Sequence, residues 1–128
     1  MKLFVDDIRN APDDSWAVAR TVTEAIRFIS QFGQSLEVIS LDHDISHQVS
    51  VGELSRPYPC TETFAAVAYF MGVYYSPKRN PTGTIIPKII IRTANPVGAE
   101  TLEYVLGLYG LDSEIKMVGA ANRLEMEV

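Results

Sequence analysis

Three short stretches of this 128-residue chain gather side chains able to do chemistry. Asp6 and Asp7 close the apolar run Lys2-Leu3-Phe4-Val5, with Arg9 just beyond. Asp42, His43 and Asp44 close the run from Glu37 to Leu41. Thr93 ends the run from Lys88, and Asn95-Pro96 follow it. If these ends meet, several carboxylates share one crevice. Bare carboxylates a few ångströms apart repel and resist ionising. A hard divalent cation relieves that repulsion. An oxygen-only donor set with room for water suits Mg²⁺ or Mn²⁺. The expected ligands are Asp6, Asp7 and Asp42, with Asp44 oriented nearby. The competing explanation is that each Asp merely caps a strand-to-loop turn, a common use of Asp. Two acidic strand ends at one rim favour a metal or acid site over that explanation.

The same stretches offer groups for a phosphate. Thr93 could give a hydroxyl to a phosphoryl oxygen, or serve only as a β-former. A helix beginning at Pro96 presents backbone N–H groups and a positive dipole end. Asn95 is either part of that anion site or a plain N-cap. Arg9 is a candidate phosphate clamp, or a solvated loop charge. The chain has two histidines, His43 and His47, both just after the third apolar run. His43 lies between two acids that favour its charged form, so it is a candidate general acid or base. Alternation along an extended chain could instead turn it away from the crevice. Lys116 reads as a solvated edge-strand lysine. Cys60, the single cysteine, reads as a packing residue.

The elements that must position these groups follow from periodicity. Lys2 to Val5 is a buried strand and Ile8 to Ser15 a loop. Trp16 to Val22 is a second strand. Thr21 and Glu24 form a capping-box pattern that opens a helix through Val22, Ala25, Ile26 and Ile29, with Gly33 as its stop. Glu37 to Leu41 is the third strand. A polar stretch from Ile45 to Cys60 follows. Thr61 then caps a second helix through Phe64, Val67, Ala68 and Met71, apolar on nearly every side and so expected to be heavily buried. Ser76 to Pro87 is a loop. Lys88 to Thr93 is a strand buried on both faces. The third helix starts at Asn95-Pro96, buries Leu102, Val105, Leu106 and Tyr109, and stops at Gly110. Glu114 to Val118 is the fifth strand, and the tail from Gly119 is a short strand or a covering segment.

Strands separated by helices imply an α/β fold with a parallel five-stranded sheet, order 2-1-3-4-5, as in flavodoxin-like and receiver-like domains. The order reverses between strands 1 and 3, which is where such sheets bind ligands. Right-handed crossovers moving one way across the sheet put all three helices on one face. The other face then needs cover from the 8–16 segment with Trp16, from the C-terminal tail, or from a second subunit in a homodimer.

Length and composition bound the rest. Residues 1–128 are one domain's worth of chain, able to bury roughly two thirds of its unfolded surface. Hydrophobic residues at 47% and charged residues at 21% exclude a disordered chain. A net charge of −5 argues against a broad nucleic-acid surface, though not against a small phosphate in a local pocket. The longest apolar run, Phe64 to Tyr75, is too short to span a bilayer, so no membrane contact is expected. Lone-cysteine usage and an early acidic pair fit a reducing, cytoplasmic setting.

The motifs also carry a resemblance. An Asp pair after strand 1, an Asp after strand 3 and Thr-Ala after strand 4 resemble the response-regulator receiver domain, although Lys116 is followed by Met117 where receivers have Pro. The chain is more closely similar to the cyclic-phosphate-processing receiver domain family. Its hallmarks are matched by Leu3-Phe4-Val5-Asp6-Asp7-Ile8-Arg9, by Leu41-Asp42-His43-Asp44 and by Thr93-Ala94-Asn95-Pro96-Val97-Gly98. The resemblance implies divalent-metal-dependent opening of a cyclic phosphate, either a cyclic nucleotide or the 2′,3′-cyclic phosphate of an RNA end. In that scheme Asp6, Asp7 and Asp42 hold the metal. Arg9, Thr93 and Asn95 hold the phosphate, and Asp42, His43 and Asp44 form the catalytic set, with His43 moving the proton. Two alternatives remain: a phosphorylatable signalling module with Asp42 as acceptor, and a non-catalytic binder of metal or a basic peptide.

Overall fold

The computed structural model describes residues 1–44, 63–78 and 83–118. Their order is β1 (Lys2–Val5), β2 (Trp16–Ala19), α1 (Val22–Phe32), a 3-10 turn (Gly33–Ser35), β3 (Val38–Leu41), α2 (Ala65–Tyr75), β4 (Lys88–Thr93), α3 (Pro96–Leu108) and β5 (Glu114–Met117). All strand pairs are parallel and the sheet runs β2-β1-β3-β4-β5, the expected order. His47, Cys60, the Thr61 cap and the tail from Gly119 lie outside the described residues.

The register explains the one-sided helix layer. Leu3, Ile39 and Ile89 pair in a row, as do Val5, Leu41 and Ile91. Residues two apart share a face. Both rows join one buried cluster with Ala25 and Ile29 of α1, Met71 and Tyr75 of α2, and Leu102 and Leu106 of α3. Phe4, Ser40 and Ile90 point to the opposite face and are buried as well. There Trp16 meets the Phe4 ring edge-on at 5.9 Å, and the Arg92 guanidinium lies 5.9 Å from the same ring. Trp16 thus supplies part of the cover that this face requires. Among the described residues, no helix is long and apolar enough to cross a membrane.

Several boundaries differ from the sequence reading. The second strand ends at Ala19, not Val22, because the helix cap takes the intervening residues. Thr21 Oγ1 accepts from Glu24 N–H at 3.1 Å, while Glu24 Oε1 accepts from Arg20 N–H at 2.7 Å. The reciprocal bond of the capping box therefore reaches one residue further back. Gly33 does not stop α1 by a left-handed turn, since its φ is −53°. It is glycine for space: an added Cβ would lie 2.5 Å from the Tyr74 ring. Gly110, with φ +80°, is the left-handed stop expected after α3.

Helix α2 is less buried than its composition suggests. It is the middle helix, packed between α1 and α3 over the sheet. That leaves an outer side, where Tyr69 and Val73 are exposed. Its close contact with α3 depends on Gly72, where a Cβ would sit 2.2 Å from the Tyr109 ring. Gly72→Ala is expected to lose about 1–2 kcal/mol in urea unfolding, the overpacking cost minus alanine's helix preference. Gly107→Ala is the matched control. Its Cβ meets nothing within 4 Å, so a gain of about 0.5–1 kcal/mol is expected.

Candidate acidic pocket at the strand ends

The parallel pairing of Val5 with Leu41 sets the next residues, Asp6 and Asp42, side by side at the carboxyl rim. Two amides carry the ladder onward: Asp6 N–H donates to Ala19 O at 3.1 Å, and Asp42 N–H donates to Val5 O at 3.0 Å. The backbone beneath both carboxylates is therefore still sheet, which makes their position rigid. Carboxylate oxygens of Asp6, Asp7 and Asp42 all lie within 4.8 Å of one another, and all three residues are buried. The rim is the switch point of the strand order, where the sequence placed the acids.

Arg9 is neither a solvated loop charge nor an open phosphate clamp. Asp6 Oδ1 accepts from the backbone N–H groups of Ile8 and Arg9 at 3.0 and 2.9 Å. This Asp-led turn folds the chain back. Arg9 Nη1 then donates to Asp6 Oδ2 at 3.1 Å and lies 3.5 Å from Asp42 Oδ2. Only 3% of Arg9 is exposed. The expected phosphate ligand is thus the counter-ion of the acidic cluster itself. Arg20, which the sequence reading passed over, holds this turn from the side. Its Nη1 donates to the carbonyls of Asp6 and Arg9 at 3.0 and 2.6 Å. A lone arginine closing a strand opposite an Asp-Asp turn was the only signal for it.

Electrostatics single out Asp42. Burial pushes its carboxyl up from 3.8 to about 7, and neighbouring Asp6 adds to the rise. The Thr93 hydroxyl, the His43 amide and the Arg9 guanidinium pull the other way without cancelling it. Among the described residues, the Arg9 guanidinium reaches two of these carboxylates, Asp6 and Asp42. Metal–oxygen distances near 2.1 Å put neighbouring ligands of an octahedral ion about 3 Å apart, so the three oxygens, within 4.8 Å of one another, would draw together around one ion. This buried, oxygen-only donor set could hold a hard divalent cation.

The raised carboxyl has a consequence for stability. Between pH 4 and 7 the metal-free folded chain holds a proton on Asp42 that the unfolded chain has released. Stability from this group is therefore complete at low pH and declines as pH rises through about 7. The slope is at most about 1.4 kcal/mol per pH unit. Urea unfolding in chelator at pH 5.5 and pH 8 should show the lower stability at pH 8.

The remaining candidates form a second group beside the triad. Thr93 is fully buried, its hydroxyl bonded to Asp42 and accepting from Asn95 N–H at 3.2 Å. The side chain of Asn95 uses both ends within the chain. Oδ1 accepts from Gly98 N–H at 3.0 Å, the expected N-cap, and Nδ2 donates to Asp44 Oδ1 at 3.2 Å. Asp44 Oδ1 also lies 2.8 Å from His43 Nδ1. His43 does not join the carboxylate triad. Its ring rests on the first turn of α3, where a Cβ on Gly98 would come within 2.6 Å of it. Gly98 was visible as part of a motif, but not as the seat of a histidine. Lys116 is exposed on edge strand β5 and pairs in register with Arg92.

A family model described as the cyclic-phosphate processing receiver domain matches residues 1–107. No curated protein and no solved structure matches the chain.

Proposed function

The chain belongs to the cyclic-phosphate processing receiver domain family, and from that premise we propose that it hydrolyses a cyclic phosphodiester at the acidic pocket with the help of Mg²⁺ or Mn²⁺. The observation that carries this reading is the buried Asp6, Asp7 and Asp42 triad, whose Asp42 carboxyl is pushed up to about 7 by burial and by neighbouring Asp6. The substrate class is a small cyclic phosphate: a cyclic nucleotide or the 2′,3′-cyclic end of an RNA.

In this reading Asp6, Asp7 and Asp42 would hold the ion, which when bound supplies positive charge to polarise a phosphoryl oxygen and stabilise the charge that develops on it. The reaction forms one P–O bond from water and breaks the ring P–O bond. A water proton ends on the leaving oxygen, and the product is a phosphomonoester. His43 would move that proton: its Nδ1 is engaged by Asp44, which leaves Nε2 as the nitrogen able to act as base or, once protonated, as acid. The amino end of α3, capped by Asn95, favours the anionic substrate at the same rim.

The test is turnover. With Mn²⁺ or Mg²⁺ the protein should open one or more of a panel of cyclic nucleotides and 2′,3′-cyclic dinucleotides, and His43→Ala should reduce kcat by 10²- to 10⁴-fold, the range for a lost general acid–base group. No turnover across the panel counts against the reading. Stable labelling of Asp42 by a small phosphodonor, without hydrolysis, would replace it with a phosphoryl-accepting signalling role.

A further inference from the structure

We propose that Asn95 is a positioning residue for His43: it holds the Asp44 carboxylate so that Asp44 fixes the neutral imidazole as its Nδ1–H tautomer, with the ring seated on Gly98 and Nε2 left to exchange the proton. The assignment of Nε2 to a reaction rests on the proposed hydrolysis; the wiring itself does not.

Four observations converge on this arrangement. First, the contacts are continuous. Asn95 Nδ2 donates to Asp44 Oδ1 at 3.2 Å, and the same oxygen lies 2.8 Å from His43 Nδ1. A carboxylate only accepts, so the ring nitrogen facing it carries the hydrogen. The tautomer of a neutral histidine is set by such a bond. Second, Asp44 needs holding. Its side chain is 48% exposed, against 14% for His43. A half-exposed carboxylate with no second tether would sample several rotamers, and the imidazole would lose its fixed partner. Third, the backbone under both residues is clamped. Phe64 N–H donates to His43 O at 2.9 Å, and Asp44 forms an antiparallel bridge with Thr63. Only the side chains remain to be fixed. Fourth, the seat is shaped for this ring. A Cβ at position 98 would come 2.6 Å from His43 Cγ and Nδ1, so the ring lies flush against the α3 backbone only because residue 98 is glycine.

Asn95 therefore has two separable duties. Its oxygen caps α3 through Gly98 N–H, and its amide nitrogen orients Asp44. Serine at position 95 keeps a good cap. It has no amide donor and is too short to reach Asp44. A purely structural Asn95 would be replaced by serine at little loss. A positioning Asn95 would not.

The experiment reads the imidazole nitrogens directly. Long-range ¹⁵N–¹H correlation spectra of the full chain are recorded in chelator, at a pH where the rings are neutral. With two histidines in the chain, His43→Ala assigns the His43 signals. The wild type should show His43 mainly as the Nδ1–H form. Asp44→Ala and Asn95→Ser should both move it toward Nε2–H, the form an unengaged imidazole prefers, with the thermal midpoint of Asn95→Ser close to the wild type. Nε2–H in the wild type, or an unchanged tautomer in Asn95→Ser, overturns the proposal. Where turnover is found, Asn95→Ser should lower kcat about 10- to 100-fold with divalent affinity unchanged, the usual scale for a group that orients a reacting one. The tautomer shift without turnover in any protein would leave the wiring standing and refute the hydrolase reading instead.

Discussion

Asp42→Asn is expected to make the metal-free protein more stable and the pocket inert. The side chain is nearly isosteric. Its oxygen can still accept from His43 N–H, as Asp42 Oδ1 does at 2.8 Å, and the neighbouring Thr93 hydroxyl keeps a partner. The lost charge is one the fold tolerates poorly, since burial and Asp6 hold the Asp42 carboxyl up near 7. At pH 8 its removal should add about 1–2 kcal/mol to urea stability, a discounted fraction of the linkage limit. The decline between pH 5.5 and 8 should flatten. In the same protein one of three carboxylate ligands is gone, so calorimetric uptake of Mn²⁺ should weaken at least 100-fold, and turnover should vanish with it. Opposed changes in stability and function mark a site strained by its task. A variant less stable than wild type at pH 8 would show that the carboxylate is a structural cap and that its burial is not a burden on the fold.

Arg9→Gln should do the reverse. The guanidinium is buried between Asp6 and Asp42, and its main chain is held by Arg20. Its removal leaves buried carboxylates without their counter-ion, a change that typically costs about 3–5 kcal/mol. Yet Arg9 contacts Asp6 Oδ2 and Asp42 Oδ2, so its positive charge sits against carboxylates that would hold the proposed ion. Guanidinium and divalent cation therefore compete. The variant should melt well below the wild type in chelator, and saturating Mn²⁺ should recover much of the difference. Its apparent Mn²⁺ affinity should be at least tenfold tighter, because a neighbouring positive charge is gone. Weaker Mn²⁺ binding in Arg9→Gln would instead make the guanidinium a strut that orients the carboxylates for the metal.

Much of the fold was legible because it rests on local rules. Apolar runs of four to six residues, a Thr-x-x-Glu cap and an Asn-Pro helix start each act over a few positions. The handedness of parallel crossovers then leaves one way to stack three helices, and the shared cluster of Leu3, Ile39, Ile89 and Leu102 is the result. Local rules say less where a neighbour from another element sets the outcome. Gly33 does end α1, but the Tyr74 ring, and no left-handed turn, is what requires glycine there. Helix α2, apolar on nearly every side, invites the expectation of heavy burial, yet as the middle helix it keeps Tyr69 and Val73 at the surface.

The candidate site divides along the same line. From the sequence alone came the acids at two strand ends and their meeting at the switch point, because a parallel sheet aligns all its carboxyl ends at one rim and Asp6 and Asp42 follow paired residues. Tertiary structure decided what each group is bonded to. Arg9 turned inward to the carboxylates instead of outward to a phosphate, Asn95 bonded Asp44, and Gly98 made room for His43. Such partnerships depend on where a loop folds back and on ångström-scale gaps between elements. Residue order carries the identity of each partner, while only the packed chain sets the distance between them.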